Sequence, residues 1–122
     1  MVVAVGAMLG ANLRFVVGNW AVDRLGPDFP YGTLIVNVSG AFTIGIILSI
    51  IGERVGIDPL WRLFFVTGFL GGYTTFSSYT WEALILAQDG DWLPALAYVF
   101  GSNVFGFIGV WLGTIVAHLV PL

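Results

Sequence analysis

The run Gly68-Phe69-Leu70-Gly71-Gly72-Tyr73-Thr74-Thr75-Phe76-Ser77-Ser78-Tyr79-Thr80 puts glycines and hydroxyls inside a long apolar segment. Hydrocarbon cannot hydrogen-bond a backbone, so irregular chain at membrane depth survives only against protein or a wet cavity. An interrupted apolar helix therefore points to an ion or substrate site. Glycines around Gly71 and Gly72 permit non-helical dihedrals and so a break between Gly71 and Thr75. Carbonyls freed there could take a small cation, since oxygen ligands suit hard ions. The half-helix that follows would offer free N–H groups and a positive dipole end. After the break, Ser77 and Thr80 share a face, as do Phe76 and Tyr79. The bland alternative is a glycine packing seam with its hydroxyls bonded back to the helix.

Other polar groups lie within apolar stretches. Asn37 carries two donors and an acceptor without charge, so it can replace water around an anion without trapping it. It can equally join two helices. Arg14, well inside the first segment, either gathers anions in a vestibule or pairs with carbonyls and snorkels to the interface. Tyr98, Ser102 and Gly106 recur every four residues and make a thin polar line, with Asn103 turned about 100° away. Glu82 is the only acidic residue well inside a segment, and none lies deep in the first two. That weighs against proton-coupled exchange, which needs an intramembrane titratable group.

These groups need elements to hold them, and composition names the solvent. Of 122 residues, 58% are hydrophobic and 9% charged, against about 25% charged in an ordinary soluble domain. The chain reads as a compact integral membrane protein. Spanning helices of roughly 20 apolar residues fit residues 2–22, 33–52, 60–88 and 93–119, in a single transmembrane domain over 1–122. All five prolines fall in loops or near segment ends, and Trp20, Trp61 and Trp92 sit where interfacial tryptophans belong. Cysteine and lysine are absent, which excludes thiolate chemistry, a phosphate-binding lysine loop and a polybasic surface for nucleic acid or lipid. The single His118 is far from any carboxylate in sequence, so a histidine metal or catalytic cluster is not expected. Arg54 and Arg62 against a lone Arg24 give a weak charge bias that favours cytoplasmic termini and also permits insertion both ways. Small-residue pairs Gly6/Gly10, Ser102/Gly106 and Gly109/Gly113 allow close helix approach, and an oligomer, most simply a dimer, is the expected working unit.

Taken together, Gly10-Ala11-Asn12-Leu13-Arg14-Phe15, the segment Gly32 to Phe42 containing Asn37, and the segment Gly68 to Tyr79 resemble the Fluc (CrcB) family of fluoride channels. The resemblance covers nearly the whole chain. It implies an all-α membrane protein of four transmembrane helices, the third broken, assembled as an antiparallel, dual-topology homodimer. It implies passive export of fluoride across a bacterial inner membrane to relieve fluoride toxicity, and no enzyme activity. It also implies a structural sodium ion at the dimer centre, held by the Gly71 and Thr74 carbonyls of each subunit. The fluoride pathway maps onto Asn37, Phe76 and Tyr79, onto Ser77, Ser78 or Thr80, and onto Tyr98 and Ser102, with Arg14 in the vestibule. Tyr79 stands where the usual second phenylalanine would be, and Gly106 where some members carry a hydroxyl. Two rival classes make distinct predictions. A small multidrug-type exporter would carry a glutamate in the first helix, absent here. A non-transporting assembly subunit would show no flux on its own.

Overall fold

The computed structural model describes residues 1–121. Helix α1 spans Val2–Leu25, α2 Tyr31–Glu53 and α3 Pro59–Arg62. A π-helix, Leu63–Leu70, continues α3 into α4, Gly71–Tyr73, and α5, Phe76–Gln88, and α6, Trp92–Leu119, follow. No strand occurs among the described residues. Helices α1, α2 and α6 have 24, 23 and 28 residues. At about 1.5 Å per residue each exceeds the roughly 30 Å of a bilayer core. The third crossing is the composite of α3, the π-helix, α4 and α5, so the architecture is all-α with four passes and an interrupted third.

Local chemistry sets the ends. Gly26, with φ of 86°, stops α1, and its N–H returns to the Val22 carbonyl at 3.0 Å. A left-handed residue with no Cβ suits that role. Asp58 caps α3 by accepting the Leu60 N–H at 2.9 Å, and Pro59 takes the first helical position, where no N–H is needed. Gly90, with φ of 82°, turns the chain from α5 to α6.

Packing pairs α2 with α6 and α1 with the π-helix and α4. Both seams rest on glycine. At Gly10 a Cβ would strike the Phe69 carbonyl, and at Gly113 the Phe42 carbonyl. The Gly6/Gly10 and Gly109/Gly113 pairs therefore pack within the chain. Gly106 has no such neighbour, for a Cβ there meets nothing within 4 Å. Gly113→Ala is expected to cost about 1–3 kcal/mol, the usual penalty for overpacking, whereas Gly106→Ala should cost nothing within the chain. Thermal unfolding in detergent checks both, and a loss at Gly106 would reveal an outside partner filling that space.

The buried side chains form two clusters, Val36 with Leu70 and Tyr73, and Leu86 with Ala95 and Tyr98. Outward, large apolar residues such as Phe15, Val16, Phe100 and Phe107 are exposed, as are Trp20, Trp61 and Trp92 near the helix ends. In lipid such a surface is the solvated one. His118, remote from carboxylates in sequence, meets one in the fold: its Nε2 lies 2.6 Å from Glu53 Oε1, tying the end of α6 to the end of α2. No group of three or more metal-ligating side chains forms among the described residues.

Candidate ion pathway

The break falls at Thr74 and Thr75, whose backbones are extended (φ −86°, ψ 157° and φ −149°, ψ 119°). Gly71, expected to supply irregular dihedrals, is helical at φ −61°, ψ −35°, and Gly72 lies within α4. A Cβ at Gly72 would collide with the Ala7 carbonyl, so that glycine serves close packing of α1 rather than the break.

Asn37 makes the break possible. Its Nδ2 donates to the Thr75 carbonyl at 2.9 Å, and its Oδ1 accepts the Thr75 N–H at 2.8 Å. One side-chain amide thus pairs with both polar groups of Thr75 that the interrupted helix leaves open. Thr75 in turn caps α5, its Oγ1 accepting the Ser78 N–H at 3.2 Å. The N–H groups that a continuous helix would aim at the Gly71 and Thr74 carbonyls are therefore engaged elsewhere. Those two oxygens are freed at the edge of a cavity of about 420 Å³, lined also by Asn37, Thr75 and Phe76. The donor set fits a hard cation, which takes carbonyl oxygens.

Two more cavities continue from the break. Arg14, Thr33, Thr75 and Ser78 line one of about 450 Å³. Thr33 also borders a third, of about 720 Å³, with Trp81, Glu82, Asp28 and Asp89. Thr75 and Thr33 are the shared walls, so the three hollows follow one another along the broken helix. Arg14 is half-buried and forms no ion pair among the described residues.

The remaining sequence-derived candidates divide. Phe76 is 76% exposed on the first turn after the break, its ring centroid 5.7 Å from that of Tyr79. Ser77 Oγ lies 3.4 Å from Thr75 Oγ1, and Ser78 Oγ accepts from the same hydroxyl at 3.2 Å. Thr80 turns back on its own helix, donating to the Phe76 and Ser77 carbonyls. Tyr98 is fully buried and donates to Glu82 Oε2 at 3.2 Å. Ser102 Oγ is buried with no partner.

Two further polar residues join this group. Glu82 accepts from Thr33 Oγ1 at 2.7 Å as well as from Tyr98, which fixes a carboxylate between α2, α5 and α6. Its one sequence signal was being the lone acid inside a segment. Thr33, at the predicted start of the second span, gave none.

A family model described as CrcB-like protein, Camphor Resistance (CrcB), matches residues 1–114. A protein named Fluoride-specific ion channel FluC from Roseiflexus sp. is 49% identical over 119 residues, covering 98% of this chain and 96% of that one. A protein of the same name from Chloroflexus aurantiacus is 46% identical over 113 residues, covering 93% and 90%. Another from Acidobacterium capsulatum is 44% identical over 118 residues, covering 97% and 94%. With a family match over almost its whole length and relatives this similar end to end, the chain belongs to the CrcB family, as a multi-pass membrane protein.

Proposed function

We propose that this chain is a fluoride channel, moving the anion passively across a bacterial inner membrane and so relieving fluoride toxicity. The observation that carries the reading is the Asn37-clasped break, with the exposed Phe76 ring beside it and a file of cavities beyond it. The name shared by the relatives supports the ion.

Fluoride is small and strongly hydrated, so a pore must replace its water with contacts strong enough to admit it and weak enough to release it. Arg14 raises anion concentration in the cavity it lines. The ring edge of Phe76 carries partial positive charge. The second N–H of Asn37 and the hydroxyls of Ser77, Ser78 and Ser102 offer successive uncharged donors. Tyr98, fully buried and held against Glu82, offers no free donor.

The working unit in this reading is an antiparallel, dual-topology homodimer. Phe76, bare on the surface of one chain, is the group a second copy would cover. The Gly71 and Thr74 carbonyls of two such subunits would hold a structural sodium ion. No enzyme activity and no nucleic-acid partner belongs to this reading.

Purified protein in liposomes, with voltage clamped by potassium and valinomycin, is expected to release fluoride rapidly and chloride negligibly. No fluoride release from a folded protein would return the chain to the assembly-subunit class.

A further inference from the structure

One turn of α2 grips the broken segment at three successive residues. Asn37 holds both backbone groups of Thr75. Gly40 seats Thr74, for a Cβ there would strike the threonine Cγ2. Ser39 Oγ lies 2.9 Å from Tyr73 Oη. The proton in this last contact can be assigned. Ser39 has one hydroxyl proton, and the Ile35 carbonyl takes it at 2.6 Å, with the Val36 carbonyl farther off at 3.4 Å. The Tyr73 hydroxyl therefore donates to Ser39 Oγ, whose lone pairs remain open. Tyr73 is buried with Val36 and Leu70 and stacks on Phe69, ring centroids 5.9 Å apart. A phenol so placed needs an acceptor, and Ser39 is its partner among the described residues.

Tyr73 stands between Gly71 and Thr74, the residues whose carbonyls are freed at the cavity edge. The Thr74 hydroxyl turns back to the Leu70 carbonyl at 2.9 Å and gives no tie to α2. The peptide joining Thr74 to Thr75 is planar, so with its N–H on Asn37 its carbonyl points the opposite way. Asn37 thus fixes that peptide from one side, and the Tyr73–Ser39 bond holds the chain on the other.

We propose that Ser39 and Tyr73 are positioning residues for the cation: their hydrogen bond orders the segment between the two ligand carbonyls and so strengthens sodium binding. The inference rests on the sodium reading above and goes beyond it in naming what orders the site. Neither side chain touches the ion, and neither lines the cavity. Without the bond, the ion must meet the segment in its ordered form, and apparent affinity falls with the fraction so ordered.

The test is thermal unfolding in detergent at one protein concentration, with sodium chloride titrated in place of N-methyl-D-glucamine chloride and potassium chloride as control. An ion that binds only the folded protein raises its melting temperature by mass action. Tyr73→Phe removes the hydroxyl and keeps the stacked ring, and Ser39→Ala removes the acceptor. In each, the sodium concentration at which stabilisation begins is expected to rise between about fivefold and about twenty-five-fold. The lower figure is one net hydrogen bond lost at the site, and the higher is one from each of two subunits. The double variant should need no more sodium than either single one, since the two changes break the same bond.

A melting temperature lowered equally at every sodium concentration would make the bond merely structural and overturn the proposal. Additive shifts in the double variant would overturn it too, as would variants that fail to fold in saturating sodium. Wild-type protein that sodium stabilises no more than potassium would instead overturn the sodium reading and, with it, the role of the pair.

Discussion

Liposomes carrying Asn37→Asp protein are expected to release fluoride no faster than empty ones. The substitution changes few atoms and reverses two interactions. Aspartate keeps an acceptor for the Thr75 N–H but loses the donor that now meets the Thr75 carbonyl at 2.9 Å. Two oxygens would then face each other at the break, and a buried acceptor without its donor costs about 1–3 kcal/mol. The second effect acts on the ion. A unit negative charge about 4 Å from an anion repels it by about 4 kcal/mol at an effective dielectric constant of about 20. At about 1.4 kcal/mol per factor of ten, that is roughly a thousandfold loss of occupancy. Thermal unfolding of the same protein separates the two effects, since a folded but silent variant isolates the charge. Rapid fluoride release from it would remove Asn37 from the pathway.

The break itself was legible in the sequence, but its cause was not. Glycines among hydroxyls marked the place. What interrupts the helix, however, is Asn37, 38 residues away, offering Thr75 a better pair of partners than its own helix does. A local reading assigned the irregular backbone to Gly71 and Gly72, the residues with the most freedom. Tertiary contact placed it on the two threonines, left Gly71 helical and left Gly72 to pack against α1. The π-helix at Leu63–Leu70 had no signal at all, because an apolar run surrounded by protein and lipid shows no periodicity to misread. Hydropathy found the four passes because solvent chooses them, and missed by a few residues at their ends, as with α1 reaching Leu25. Asn103 shows where facing arguments fail. A turn of 100° excludes a side chain from a line along α6, but not from a tyrosine on the adjoining helix.

Phe76→Ile tests whether a ring edge is part of the pathway or only beside it. At 76% exposure Phe76 has little packing within the chain to lose, so the usual cost of truncating a buried aromatic does not apply. The backbone around it is held by other atoms, with the Thr75 side chain capping the helix and Asn37 holding the Thr75 peptide. The variant should therefore fold, with thermal stability within about 1 kcal/mol of wild type. Isoleucine fills a similar space with no quadrupole. A contact of the kind aromatic edges make is worth about 0.5–1.5 kcal/mol. If two subunits each present one, losing both costs up to about 3 kcal/mol, roughly a hundredfold in flux. Fluoride efflux is therefore expected to fall by between about fivefold and about a hundredfold while the protein stays folded. Unchanged efflux would take Phe76 out of the pathway and leave its exposure as a lipid contact. Loss of efflux together with loss of the fold would show that the ring is structural, covered by a partner rather than by an ion.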